Sequence, residues 1–484
     1  MVPSLPAEGP REECGVFGIY APGHEVSRLC YFALYALQHR GQESAGIAAA
    51  ERGGEIITRR ELGLVSQVFS ESDLRTLAGD LAIGHVRYST TGANAWENSQ
   101  PVQRFRGDVG ANRDLALGHN GNLTNSLALR ERLAGQGIAL RSSSDSELIA
   151  ALLAAAPAGD LGEAAAAAMG ELAGAFSVVA MDREQVIAFR DPYGFRPLVL
   201  GRLGEGKRPA WCVASESCAL DIIGAQLVRE ISPGEVVVLD ENGVRSRQAA
   251  PPRPAFCIFE YIYFARPDSL MGGKRLQAVR GRMGEELWRE APVEADLVIA
   301  VPDSGNAAAR GLARAAGLPQ DDGFVKNRYV ARTFIEPGEE LRRRGLRLKF
   351  NPIPEVVGGR RLVVVDDSIV RGNTTRQIVG MLREAGAREV HLRISAPPIR
   401  HPCFYGIDMS TREEMIAHNR TVDQVAEELG VDSLHYLSLA GLYRAVGVSP
   451  RHHCDACFSG NYPLALEGEP PRKDALAKPA LARL

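Results

Sequence analysis

Three short apolar runs in the second half of the chain constrain the fold most. They are Asp296–Val301, Leu362–Val365 and Val390–Ile394. The first two each lead into a Gly-containing loop and then a helical stretch, and the third ends at Pro397-Pro398. A strand that is apolar on both faces must be covered on both. Such runs, alternating with helices, predict a parallel sheet in an α/β layer. The first half has another texture. Residues 148–175 are Ala-rich and read as one or two helices, Phe176–Ala180 and Val186–Phe189 as strands, and Asp191-Pro192-Tyr193-Gly194 as a turn. Hairpins mixed with helices give an α+β pattern. Between the halves, Gln248-Ala249-Ala250-Pro251-Pro252-Arg253-Pro254 is Pro-rich and aperiodic, and marks the domain boundary.

The chain has 484 residues, enough for two or three domains. With 45% apolar and 24% charged residues it is neither disordered nor collagen-like. A formal charge of −3 gives no global reason to expect nucleic acid. No apolar stretch is long enough for a membrane span, and the first ten residues lack the apolar core of a signal peptide. Eight cysteines in this length make no disulfide scaffold and fit a reducing, cytoplasmic setting.

The run Leu362–Val365 ends in Asp366-Asp367-Ser368-Ile369-Val370-Arg371-Gly372-Asn373-Thr374-Thr375. In open α/β sheets ligands sit beyond the carboxyl ends of the strands. Loop N–H groups and a helix N-terminus suit a phosphate, and two adjacent acids suit ribose hydroxyls or hydrated Mg²⁺. Read locally, the same residues also fit a simple N-capped helix. The whole string resembles the phosphoribosyl pyrophosphate signature of type I phosphoribosyltransferases. Val301-Pro302-Asp303-Ser304-Gly305-Asn306 is similar to the pyrophosphate loop of that fold. A basic stretch follows, with Lys326, Arg328, Arg332, Arg342, Arg343, Arg344, Arg347 and Lys349. Such runs are usually solvated faces; beside two anion loops, some of these cations fit a polyphosphate. Lys326 to Phe334 resembles the mobile catalytic loop of a glutamine-using member of the group.

Near the N-terminus, Cys14 precedes the apolar run Gly15-Val16-Phe17-Gly18-Ile19. By itself such a cysteine reads as a core thiol. Four further motifs follow in order: His39-Arg40-Gly41-Gln42-Glu43, Gly84-His85-Val86-Arg87-Tyr88, Gly118-His119-Asn120-Gly121-Asn122 and Ser142-Ser143-Ser144-Asp145. Together they resemble the glutaminase domain of class II glutamine amidotransferases. That resemblance implies an N-terminal-nucleophile αββα domain, with Cys14 as nucleophile once a propeptide, residues 1–13, is removed. Asn120 and the N–H of Gly121 would form the oxyanion hole. Arg87 would hold the glutamine carboxylate, Asp145 its ammonium, and Arg40 would position the amine end of the site. Read locally, Arg87 fits a surface ion pair and Asn120-Gly121 a hairpin turn. The free α-amine of a processed Cys14 would supply the base, which leaves His39, His85 and His119 as structural residues. Asp191 and Arg196 also read as structural.

Cys30, Cys212 and Cys218 lack ligand spacing and read as core thiols. Cys257, Cys403, Cys454 and Cys457 form a possible four-thiolate set, which by count suits Zn²⁺ or a [4Fe–4S] cluster equally. His452 and His453 add alternative ligands for zinc.

Taken together, Cys14 to about Tyr462 resembles the glutamine-dependent amidophosphoribosyltransferases. The resemblance implies a glutaminase domain over 14–247, a type I phosphoribosyltransferase domain with a parallel sheet over 255–465, and a loose tail over 466–484. It implies glutamine and 5-phosphoribosyl pyrophosphate as substrates and 5-phosphoribosylamine as product, formed with inversion at the start of de novo purine synthesis. Ammonia would pass between the sites through a closed channel. Asp303, Ser304, Lys326, Arg332, Asp366, Asp367, Ser368, Arg371, Gly372, Asn373, Thr374 and Thr375 would bind the phosphoribosyl donor. Mg²⁺ would sit at Ser304, Asp366 and Asp367. The four cysteines match the ligands of a bacterial-type [4Fe–4S] subgroup. Purine nucleotides would be feedback inhibitors, and the assembly a homotetramer or sometimes a dimer. Rival readings are a sugar-phosphate amidotransferase, a non-catalytic nucleotide-binding regulator and an iron–sulfur redox protein. The acid pair opposes the first, the intact glutaminase set the second, and the absence of a compact cysteine run the third.

Overall fold

The computed structural model describes residues 14–88, 95–157, 159–204, 210–327, 349–409 and 411–464. Two antiparallel sheets form the first half. One orders its strands as Gln226–Glu230, Val199–Leu203, Ala210–Ala214, Gly15–Tyr20, Leu81–Arg87, Ser44–Ala50 and Ile57–Leu62. The other runs Gly243–Gln248, Glu235–Asp240, Val186–Arg190, Gly174–Met181, Leu115–Leu123 and Val102–Arg104.

Three apolar layers follow from these sheets. Val16, Ile83, Val179 and Leu239 pack between the two sheets. Phe17 and Ile47 face the helices Val26–Ala36 and Ser217–Ile222. Phe176 and Val178 face the helices Asp145–Ala155 and Leu161–Ala168. The result is the expected αββα sandwich. The Ala-rich segment is two helices because each has its own cap. Ser144 accepts from Ser146 N, and Asp160 accepts from Gly162 N and Glu163 N.

The second half centres on a four-stranded sheet ordered Leu297–Ala300, Arg361–Asp366, Glu389–Ile394 and Ser433–Tyr436. All three pairings are parallel. The strands therefore end on one edge, where the loops carrying Ser304 and Asp366-Asp367 emerge together. Helices Leu276–Glu290, Asn306–Ala316, Asn373–Glu384 and Leu439–Val446 share one apolar core with the sheet. The last strand of the sandwich ends at Gln248 and the next strand begins at Phe256. In the linker, Arg253 N and Ala255 N donate to the carbonyls of Pro192 and Tyr193 at 2.7 and 2.8 Å, which ties the two halves together. No helix among the described residues is long and apolar enough to cross a membrane.

Candidate active sites

Cys14 opens the strand Gly15–Tyr20 and is buried in a cleft of about 220 Å³. Its thiol points at the carbonyl of Tyr88, 3.4 Å away. Arg87, at the end of its strand, lines one part of the cleft, and its guanidinium lies 3.6 Å from Glu43. Asp145 lines another part from the first turn of its helix, held by Leu123 N at 2.9 Å. A buried cation and a buried anion beside one thiol match the two ends of an amino acid zwitterion.

Asn120 and Gly121 lie within the strand Leu115–Leu123 and not in a hairpin turn. Asn120 is buried, and its Nδ2 has no hydrogen-bond partner. A buried donor left open is costly unless something else fills it. Gly121 has φ +147°, and a Cβ there would stand 2.0 Å from the carbonyl oxygen of Ala175. Only glycine fits that close approach.

Burial pushes the Cys14 thiol up to about 12, so it needs a base to become a nucleophile. The nearby imidazoles are poor bases. Burial lowers His85 to about 3, and His119 is lowered as well, chiefly by burial. His119 instead braces the cleft, with Nδ1 3.2 Å from Ser146 Oγ and Nε2 3.3 Å from Ala175 O.

Arg40, expected at the amine end of the cleft, is engaged by other groups. Its fully buried guanidinium pairs with Glu216 and, at 2.7 Å, with Glu260 across the domain seam. Glu216 also accepts from His39 Nε2 at 2.7 Å and from Arg266 N at 2.9 Å. Burial raises the Glu216 carboxyl, but the charges of Arg40 and His39 outweigh it and hold the group well below the carboxylate range. The local motif is adjacent to the cleft all the same, because Gly41 packs on the main chain of Arg87.

In the second half, Asp366 and Asp367 are buried at the strand's carboxyl end. Asp367 N donates to Asp366 Oδ1 at 2.9 Å, and Ser304 and Ser368 bond the Asp367 carboxyl. Burial raises both carboxyls, and Asp366 is raised further by its neighbour's charge. Asp303, just before Ser304, pairs with Lys326. Arg371 pairs with Glu414 at 2.9 Å. Gly372, at φ +81°, precedes the helix whose first turn holds Asn373, Thr374 and Thr375. Arg332 and most of the basic stretch lie outside the described residues, as do the propeptide and the tail.

Sequence reasoning missed Arg280. This buried side chain donates to the carbonyls of Tyr261 and Ala265 at 3.0 and 2.7 Å. Burial lowers it to about 10, with Asp367 the foremost of the acids that support its charge. Its helix has apolar Leu276, Val279, Met283 and Leu287 on the buried face, and Arg280 shares that face. A charge on an apolar stripe was the available signal. Gln100 was also missed: it lines the Cys14 cleft and accepts from His119 N at 2.8 Å.

Cys257, Cys403, Cys454 and Cys457 surround a chamber of about 330 Å³. The short parallel pair Phe256–Cys257 and His453–Cys454 sets two of them side by side. Phe195, Tyr405 and Tyr462 wall the chamber, and fully buried Arg196 lines it too. Burial raises the Cys457 thiol, and the other three cysteines raise it further. Among the described residues no three or more Cys, His, Asp or Glu converge as they would on one metal ion. Four thiols around one chamber are a donor set that suits a metal centre with thiolate ligands. The charge of Arg196 lowers the Cys454 thiol against the larger effect of its burial. Cys30, Cys212 and Cys218 are buried in the first half's core.

Known proteins share this architecture. A family model described as a glutamine amidotransferase domain matches residues 85–221. The chain is 50% identical over 487 residues to the amidophosphoribosyltransferase of Mycobacterium tuberculosis H37Rv, covering 98% of this chain and 90% of that one. It is 49% identical to the Synechococcus elongatus amidophosphoribosyltransferase, covering 95% and 93%. The structure of a glutamine phosphoribosylpyrophosphate amidotransferase from B. subtilis, complexed with ADP and GMP, superposes with a TM-score of 0.88 at 44% identity, covering 94% of this chain and 99% of that one. A structure described as the allosteric regulatory enzyme of purine biosynthesis gives 0.89 at 43% identity, covering 97% and 100%. With a glutaminase-type cleft and a phosphoribosyl-type acid pair in one chain matched almost end to end, the chain belongs to the amidophosphoribosyltransferase family.

Proposed function

We propose that the family's reaction, transfer of the glutamine amide nitrogen to 5-phosphoribosyl pyrophosphate, runs here through two sites with the following residues in each role. The observation that carries the reading is a buried thiol in one cleft with Arg87, Asp145 and Gly121. Removal of residues 1–13 frees the Cys14 α-amine, which takes the thiol proton. The sulfur bonds to the amide carbon, and the carbonyl electrons move onto oxygen, stabilised by Asn120 Nδ2 and Gly121 N. As the oxyanion collapses, the C–N bond breaks and the proton returns to the departing ammonia. Water then cleaves the thioester to glutamate.

Ammonia passes within the protein to the second site and bonds to the anomeric carbon as pyrophosphate leaves, giving 5-phosphoribosylamine. Asp366 and Asp367 receive the ribose hydroxyls. Ser304, Ser368, Thr374, Thr375 and the loop N–H groups around Gly372 and Asn373 take phosphate oxygens, with Asp303, Lys326, Arg332 and Arg371 completing the site. Mg²⁺, held by Asp366 and Asp367 with Ser304 nearby, supplies charge neutralisation for the pyrophosphate. A [4Fe–4S] cluster on Cys257, Cys403, Cys454 and Cys457 supplies a structural tie between the start and end of the second domain. The assignment extends to domains at 14–247 and 255–465, feedback by purine nucleotides, a homotetramer and a cytoplasmic setting.

The test measures glutamate and pyrophosphate released by anaerobically purified protein given glutamine and Mg²⁺, with and without the phosphoribosyl donor. Matched release that depends on the donor is expected. Glutamate without pyrophosphate would assign the second site to another acceptor. Separately, Cys454→Ser should lose both iron and thermal stability; a folded, iron-replete variant would reject the ligand set.

A further inference from the structure

The wall behind Gly121 comes from the other half of the molecule. A Cβ on Gly406 would stand 3.0 Å from the Gly121 carbonyl carbon and 3.1 Å from its Cα, so the two backbones are in contact. Gly406 has φ +109°, a conformation side chains rarely tolerate. Next to Gly121, Asn122 Nδ2 donates to the carbonyl of Phe404 at 3.1 Å. Arg196 donates from Nε and Nη2 to the carbonyl of Tyr405 at 2.9 and 2.6 Å. The rings of Phe195 and Tyr405 stack with centroids 4.2 Å apart. Three consecutive residues, Phe404 to Gly406, thus each contact the sandwich. Their near end is fixed at Cys403, whose Sγ accepts from Tyr405 N at 3.4 Å.

We infer that Phe404–Gly406 is the back wall of the oxyanion hole, and that Gly406 and Asn122 are positioning residues for amide hydrolysis. This rests on reading the Cys14 cleft as the glutaminase. An oxyanion donor acts through being aimed before charge develops, so displacing its backbone by a fraction of an ångström lowers the rate without removing the donor. The sandwich supplies the thiol, the cation and the anion, and the second domain fixes the strand that aims the donors. The cysteine chamber lies at the other end of the same four-residue segment, so its integrity bears on glutamine chemistry through Cys403.

The test compares wild type, Gly406→Ala and Asn122→Ala in the full chain, purified anaerobically. In both variants kcat for glutamine should fall about 10- to 100-fold. KM for glutamine should change by less than about threefold. Affinity for glutamate γ-semialdehyde, whose adduct with the thiol places an oxygen in the hole, should fall in parallel with kcat. Alkylation of Cys14 by iodoacetamide, ammonia-dependent synthesis and iron content should match wild type in both variants, and melting temperature should match it in Asn122→Ala, whereas Gly406→Ala should melt lower because of its backbone strain. If Gly406→Ala does not fold, Asn122→Ala carries the test, since it truncates a part-exposed side chain without altering the backbone of the wall. Wild-type kcat in folded variants, or a rise in KM at constant kcat, would overturn the inference. A processed wild type that cannot hydrolyse glutamine would instead overturn the glutaminase reading beneath it.

Discussion

The two sites differ in what each holds ready. In the Cys14 cleft the charges are opposite: Arg87 and Asp145 flank the thiol, and Gly121 lines the same cleft from within a strand. At the sheet edge of the second half two like charges stand side by side, and buried Arg280 supports one of them. Asp366 and Asp367 are adjacent and buried, and the nearby cations Lys326 and Arg371 are paired with Asp303 and Glu414. The first site is complementary to a zwitterion before one arrives. The second holds carboxyls whose neighbouring charge raises Asp366, and on the proposed reading an incoming cation and polyphosphate would give its charges new partners. A glutaminase must stabilise a charge that appears during reaction, so preorganisation serves it. A site for a polyanion and its cation must accept charges that arrive with the ligand.

The sharpest way to break this contrast is to remove one site's chemistry and read the other. Cys14→Ala should lower glutamine-dependent synthesis by at least about 10³-fold, as loss of a nucleophile does. Ammonia-dependent synthesis should persist. Loss of both in a folded variant would show that the two sites are not separable.

The seam between the sites offers a smaller effect. Glu216→Gln removes a fully buried charge that pairs with Arg40 and His39, and should lower stability by about 3 kcal/mol at pH 7. The sign follows from its depressed carboxyl. The wild-type advantage is present above the ordinary carboxylate range and is lost as pH falls through and below it. Melting temperatures at pH 7 and pH 4 check this: the gap should narrow at the lower pH, and an equal gap at both would mean that packing, not charge, is what Glu216 supplies.

The same contrast explains what the sequence could show. The acid pair was legible because strand, carboxylates and loop are contiguous, so one apolar run ending in Asp366-Asp367 carries the geometry. The cleft was legible only by resemblance, because Cys14, Arg87, Gly121 and Asp145 lie on separate elements that converge in space. Arg40 shows the limit. Its motif sits next to the cleft, yet its partner Glu260 is 220 residues away, and nothing local foretells an ion pair across the seam. Gly406 is the same problem in backbone form, since a glycine in a loop gives no hint that it packs on Gly121.

The smallest effect tests the repulsion directly. Asp366→Asn keeps an oxygen for the N–H of Asp367 while removing one of two like charges. Burial first, and the neighbouring charge second, raise the Asp366 carboxyl well above its ordinary value. A carboxyl raised in the folded state destabilises the fold increasingly as pH rises above the unfolded value of about 3.9, until it is fully ionised. The metal-free variant should therefore be more stable than wild type by about 1 kcal/mol at pH 8, and equal to it near pH 4. Its phosphoribosyl chemistry should be lost. Melting in chelator at the two pH values measures the first, and ammonia-dependent pyrophosphate release the second. Asp145→Asn should bring no such gain, because Asp145 shares its cleft with Arg87 and not with a second carboxylate of the same kind. A variant at position 366 that melts below wild type at pH 8 would mean that the pair is not held in repulsion, and the distinction between a prebuilt site and one completed by its ligand would fall with it.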